Sequence, residues 1–207
     1  MDKEQTMKFM KANIFVWVLG VFLLVGLTGC NQQASTKKFT STDITGADFG
    51  KDFLLTDHTG KARSLADFKG KAVVMFFGYT HCPDVCPTTM SDMAQALNLL
   101  GKDANKVQVL FVTIDPARDT QALLAKYVPS FNPEFLGLYG DDAATAKVAK
   151  DFHIFYQKHQ GADRQSYSVD HTAGTYVFDQ SGKLRLFMSY GQGAEIIAHD
   201  LRALITN

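Results

Sequence analysis

Two apolar runs constrain this chain more than any other feature: "AVVMFFG" (Ala72 to Gly78) and "VQVLFVTID" (Val107 to Asp115). Each is short, nearly unbroken and rich in β-branched and aromatic residues, and the first lies between Gly70 and Gly78. A strand with one face in water alternates apolar and polar positions, whereas a strand buried on both faces does not. Both segments therefore belong inside a sheet that is covered on its two sides. Between them, Met90, Met93, Ala94, Leu97 and Leu100 recur at helical spacing, with Thr88 and Thr89 as candidate N-caps and Gly101 closing the pattern. Further helices are expected over 122–128, over 143–152 behind Asp141 and Asp142, and over 194–205. Hairpins are expected around the turn Asp57 to Gly60 and around "QSG" between Thr175–Asp179 and Lys183–Met188. No internal repeat is evident. The order β-β-α-β-α-β-α-β-β-α predicts an α/β fold, a central sheet flanked by helices.

The N-terminal end reads differently. Scattered charge at Lys3, Lys8 and Lys11 precedes an uncharged run of about 14 residues, Ile14 to Leu27, and then "LTGC". A spanning helix needs roughly 20 apolar residues, so the run suits the apolar core of an export signal. The stretch Leu27, Thr28, Gly29, Cys30 resembles a bacterial lipobox, which implies lipidation of Cys30 as the first mature residue. The expected organisation is a lipoprotein-type signal peptide over 1–29, a flexible tether over 30–48, and one folded domain over 49–207. The tether reading rests on the polar texture of "NQQASTKKFTSTDITGAD". Such a chain belongs to a bacterial cell envelope, anchored in a membrane and facing the extracytoplasmic side. Basic and acidic residues balance at 21 each, which gives no electrostatic argument for nucleic acid.

Outside the cytoplasm, thiols form disulfides or bind metals. If Cys30 carries a lipid, Cys82 and Cys86 are left, in "GYTHCPDVCPTTM". They fall where the 72–78 strand hands over to the Met90 helix, the place at which open α/β sheets collect ligands. A helix N-terminus also favours thiolate. The spacing C-x-x-x-C is one residue looser than the exchange motif C-x-x-C, and a pair at i, i+4 can turn both sulfurs toward one soft ion. From the residues alone, disulfide exchange, a peroxide-reducing nucleophile and a metal site all stay open. His171, in "YSVDHTAGTYVFD", is expected in a loop before a strand, and a lone loop histidine is more often structural than a ligand. His58, His159 and His199 read as solvated, His153 as packed, and His81 as pointing away from a shared ligand side. Met75, Met90, Met93 and Met188 read as core.

The three segments "YTHCPDVCP", "VTIDPARDT" and "VDHTAGTYVFDQSGKL", in this order, resemble the Sco/SenC family of membrane-attached, thioredoxin-like proteins that bind copper and assist assembly of cytochrome c oxidase. Gln121 stands where proline is frequent in that family, and Thr172 where serine is common. The resemblance implies a thioredoxin-like fold with a mixed sheet, and a copper ion, Cu(I) or Cu(II), held by Cys82, Cys86 and His171. Two thiolates and an imidazole suit copper. At i, i+4 spacing Cys82 and Cys86 can also close as a redox-active disulfide. Asp170 can orient His171 from behind or cap its loop, and Asp115, with Arg118 and Asp119 at the end of the neighbouring strand, reads as a loop-organising salt bridge that supports the site. The partner would be the copper-centre domain of cytochrome c oxidase subunit II, with an upstream periplasmic copper donor or a thioredoxin-like reductant as further partners. This is the work of a metallochaperone, and any enzymatic activity of the same cysteines would be thiol-disulfide oxidoreduction.

Two rival activities use the same fold. A thiol-disulfide reductase would use the cysteines without metal and keep the oxidase's own copper-site cysteines reduced. A peroxidase would need an arginine beside one thiol, for which Arg118 is the candidate.

Overall fold

A computed structural model describes residues 39–161 and 167–206 of the chain. The signal segment, Cys30 and the first part of the tether lie outside the described residues. The two apolar runs form β4 (Ala72–Gly78) and β5 (Val107–Thr113), paired in parallel along their whole length from Ala72 opposite Val107 to Gly78 opposite Thr113. Every residue of both strands is buried, as their unbroken apolar character requires. Parallel neighbours need a crossover, supplied by α1 (Val85–Leu100). A second crossover, through α2 (Gln121–Tyr127), leads to β6 (Leu136–Tyr139), parallel to β5.

The remaining strands add in the antiparallel sense. They are β1 (Thr42–Asp43), β2 (Leu55–Asp57), β3 (Ala62–Arg63), β9 (Thr175–Phe178) and β10 (Leu184–Met188), and the sheet order is β1-β10-β9-β4-β5-β6-β2-β3. Successive residues of β4 face opposite layers. Phe76 packs toward Phe111 on one side, and Phe77 meets Phe152, which caps α3 (Asp142–Asp151), on the other. The last helix, α4 (Ala194–Ile205), packs on α1. Met75, Met90, Met93 and Met188 are all core, as expected.

The structure departs from the expectation in two places. Folded structure begins before Phe49: β1 pairs with β10, and Ser41 is buried, its N–H donating to the Asp200 carboxylate at 2.8 Å. Two further strands, β7 (Tyr156–Gln160) and β8 (Tyr167–His171), form a separate antiparallel pair. Their texture is polar and mostly exposed, so no apolar periodicity announces them.

Two hairpin turns, "DHTGKAR" (Asp57 to Arg63) and "DQSGKLR" (Asp179 to Arg185), share one design that a search for long repeats misses. In the first, Oδ1 of Asp57 accepts from Thr59 N–H (2.8 Å), Thr59 Oγ1 (2.6 Å) and Lys61 N–H (3.1 Å), while Oδ2 accepts from Arg63 Nε (2.7 Å). Asp179 accepts in the same positions from Ser181 N–H (2.9 Å), Ser181 Oγ (2.6 Å), Lys183 N–H (3.1 Å) and Arg185 (3.1 Å). The glycine at the fourth position has φ of +92° at Gly60 and +81° at Gly182, where side chains are strained.

Burial opposes ionisation of Asp57, but the hydrogen bonds from Thr59, Arg63 and Lys61 outweigh it and hold the carboxyl at about 2, below the usual 3.8. A depressed folded-state value stabilises the protein above the unfolded value, and the effect is lost as pH falls from 3.8 toward about 2. Asp57→Asn is therefore expected to cost about 2 kcal/mol at neutral pH, with the difference from wild type shrinking as pH drops through that window. Urea denaturation of both proteins across pH 2 to 6 measures it, and a pH-independent difference would contradict the assignment.

Candidate metal centre

The site is built where β4 ends. Chain direction changes at Tyr79, and the Cys82 N–H closes a turn on the Tyr79 carbonyl at 3.2 Å. Helix α1 then starts at Val85, with Asp84 as its N-cap residue. This is earlier than the expected start at Thr88 and Thr89, because Pro87 sits inside the first turn, where a missing N–H costs nothing. Cys86 is thereby a helical residue whose N–H points out of the open helix end. It donates to Cys82 Sγ at 3.4 Å.

The two thiols differ sharply in surroundings. Cys82 is partly exposed and Cys86 is fully buried, and both are free thiols. Burial pushes the Cys86 thiol well above its usual value, and the neighbouring Cys82 and Asp119 add to the effect. Gly78 makes room for this sulfur. A Cβ there would lie 2.9 Å from Cys86 Sγ, 2.8 Å from the Phe76 ring and 3.0 Å from the Phe111 ring.

His171 arrives from the other side. It ends β8 rather than lying in a loop, and its ring stands edge-on to Phe76 and Tyr79, with centroids 6.3 and 6.0 Å away. Nδ1 lies 3.0 Å from the Thr172 carbonyl, which only accepts, so Nδ1 carries the proton and Nε2 is left with a lone pair. That lone pair faces the cysteines, Nε2 being 3.7 Å from Cys86 Sγ. Burial lowers the His171 pKa below its usual 6.5, against the opposing effects of Thr172 and Asp170, and favours the neutral form a ligand needs. The donor atoms of Cys82, Cys86 and His171 all lie within 4.8 Å of one another, close enough for one ion to touch all three. Two soft sulfurs and one imidazole fit copper among biological metals.

Neither Asp170 nor Asp115 touches a ligand, and Asp115 forms the loop-organising salt bridge expected of it. Asp170 turns to solvent and pairs with His159 at 3.1 Å, because alternate residues of a strand face opposite ways and His171 takes the inward position. Asp115 is buried but is engaged by Arg118 at 2.5 Å, by the Tyr167 hydroxyl at 2.7 Å and by Lys158 at 3.6 Å. Arg118 is thus committed to Asp115 and not to a thiol, which removes the support for a peroxidatic site. Among the other histidines, His199 pairs with Asp200, His153 stacks on Phe49 at 4.5 Å, and His81 stays half-exposed near Thr80. His58 is not merely solvated: its Nδ1 accepts from the Gly137 N–H at 3.0 Å. Several contributors have no signal in the sequence at all. The Thr172 carbonyl is backbone, and Tyr79 acts through its hydroxyl, which accepts from the Val169 N–H at 3.3 Å.

Fold and site together define a class: a thioredoxin-like domain with two thiols and an imidazole converging at the ends of its parallel strands. The chain belongs to the SCO1/SenC family, whose model matches residues 41–206. The mitochondrial SCO2 homolog of Bos taurus is 38% identical over 153 residues, which is 73% of this chain and 58% of that protein. The chain thus spans less than two thirds of the length of that curated relative. The structure of Bradyrhizobium japonicum ScoI with copper bound is 41% identical with a TM-score of 0.70, covering 75% of this chain and 99% of that one. The solution structure of apo Sco1 from Thermus thermophilus is 38% identical with a TM-score of 0.73, covering 82% and 99%.

Alkylation at neutral pH under reducing conditions should label Cys82 and spare Cys86 until the protein is denatured. Gly78→Ala, which forces the Cys86 sulfur and its aromatic neighbours apart, should cost about 1–3 kcal/mol. It should also open Cys86 to the reagent. Mass spectrometry of the labelled peptides reads both outcomes, and equal labelling of the two wild-type thiols would contradict the burial described.

Proposed function

We propose that this protein carries copper through Cys82, Cys86 and His171 and delivers it to the dinuclear copper centre of cytochrome c oxidase subunit II. The observation that carries the reading is the convergence of three soft or borderline donors within 4.8 Å on elements otherwise far apart in sequence. Family membership and the copper held by the Bradyrhizobium relative support it. Copper here is cargo, so the site must release as well as bind it. Partial exposure of Cys82 gives an incoming thiolate from the recipient a place to begin ligand exchange. Cys30 would carry a lipid and hold the domain at the outer side of a bacterial membrane.

A second reading rests on a specific feature of the same site. Both cysteines are free and adjacent, with Cys82 Sγ beside the Cys86 N–H, so they can close on each other. A Cys82–Cys86 disulfide would form as two electrons and two protons pass to a disulfide in a partner, restoring two thiols there. Closing that bond removes two of the three copper donors at once, so oxidation of the pair releases the metal.

His171→Ala separates the two roles. It should weaken copper binding by more than roughly a hundredfold, since removing a donor outright costs more than the 10- to 100-fold lost with an outer-shell partner. The thiolate-to-copper absorption should change while the Cys82–Cys86 disulfide still forms. Copper titration with a competing chelator, together with a thiol count, checks this. Unchanged copper affinity would leave the reductase role as the better account. Mass spectrometry of the mature protein checks the anchor, since an unmodified N-terminus at a residue other than Cys30 would overturn it.

A further inference from the structure

The cysteines and the histidine reach the site on different parts of the fold, which one direct bond joins, from the Val169 N–H to the Tyr79 hydroxyl at 3.3 Å. The thiols follow β4, in the main sheet. His171 ends β8, in a two-stranded pair that is not part of that sheet. A lone hairpin is marginal in water, so its position must be imposed by other contacts. The turn after β5, residues 115–119, touches both sides.

The geometry points to this turn as a brace that sets the span between the thiol pair and His171, with Asp119 and Arg118 as positioning residues, an inference that rests on the copper reading above. Asp119 is the first arm. Its carboxylate is buried, and Oδ2 accepts from the Thr80 N–H (3.0 Å) and from Thr113 Oγ1 (2.6 Å), while Oδ1 accepts from Thr80 Oγ1 (2.6 Å). Thr80 lies two residues before Cys82, so this arm fixes where the cysteine loop begins. Arg118 is the second arm. Its Nε donates to Asp115 at 2.5 Å, a terminal N–H donates to the Tyr167 carbonyl at 2.9 Å, and the guanidinium carbon lies over the Tyr167 ring, 3.5 Å from its centroid. The Tyr167 hydroxyl returns a bond to Asp115 at 2.7 Å. Tyr167 opens the strand that His171 closes. Because consecutive residues of one short turn hold the two arms, a shift of either arm changes the distance between sulfur and imidazole. Lysine has no planar fork and cannot make the stacked, two-ended contact that Arg118 makes.

The two arms give separable outcomes in the full-length protein. Arg118→Lys should lower copper affinity by roughly 10- to 100-fold and alter the thiolate-to-copper spectrum, as loss of a supporting partner does. The midpoint of the Cys82–Cys86 couple should move less than in Asp119→Asn, because on the thiol side Arg118 reaches only the Tyr79 ring, 5.7 Å from its guanidinium carbon. Asp119→Asn, which exchanges one accepting oxygen for a donor, should change both the affinity and the midpoint. A metal-free readout accompanies these: the His171 ring signals in NMR spectra of the reduced apoprotein should move in Arg118→Lys. Should Arg118→Lys fold poorly because buried Asp115 loses its nearest cation, the double variant Asp115→Asn, Arg118→Met removes both charges and carries the same expectations. Wild-type copper affinity and unshifted His171 signals in both Arg118 variants would overturn the brace, and so would a disulfide midpoint moved in them as far as in Asp119→Asn. A wild-type protein that takes up no copper would instead overturn the copper reading, while the His171 signals and the midpoint would still test the brace.

Discussion

The parallel pairing of β4 with β5 is the constraint from which the site follows. Seven residues of each strand pair in one unbroken register, and all of them are buried. Slipping the register by one would turn every side chain to the opposite layer, so Phe76 and Gly78 are held toward α1 while Phe77 faces α3. Both strands also finish at one level. The cysteine loop after β4 and the turn after β5 are therefore forced together, and the Ile114 N–H bonds back to the Gly78 carbonyl at 2.9 Å.

Around that apolar centre the fold places a set of buried carboxylates, and none is left bare. Asp57, Asp115, Asp119 and Asp200 are all essentially inaccessible to water. An ion taken out of water is costly unless donors replace the water, and each of these has found several. Asp57 organises a turn, Asp200 anchors the entering chain at Thr40 and Ser41, and Asp115 and Asp119 serve the end of the sheet that bears the thiols. The same device, a short acidic side chain gathering backbone and side-chain donors, thus fixes geometry in regions that apolar packing cannot specify.

The site combines an inert and an accessible half. Cys86 is fully buried against Gly78, while Cys82 and His171 are both partly buried, His171 between Phe76 and Tyr79 and Cys82 with its sulfur at the Cys86 N–H. Desolvation works on Cys86 and His171 toward their neutral forms. A soft cation that replaces the thiol protons offsets that penalty, since the charge of the sulfurs is then neutralised inside the site. The arrangement favours a captured ion over bare thiolates and leaves one ligand open to exchange.

Sequence by itself determined what depends on local pattern. Unbroken apolar runs marked β4 and β5, helical spacing marked α1, and the spaced motifs named Cys82, Cys86 and His171 by resemblance. It also put the methionines in the core. Tertiary structure decided the rest. It started α1 at Val85, ended a strand on His171, turned Asp170 outward, and assigned the orienting bond to the Thr172 carbonyl. It brought Thr80 to Asp119 and Arg118 to Tyr167, pairs 39 and 49 residues apart. The physical reason is one of range. Burial periodicity is written into neighbouring residues, whereas a hydrogen bond across dozens of residues has no local signature and exists only once the strands have set the distance between its partners.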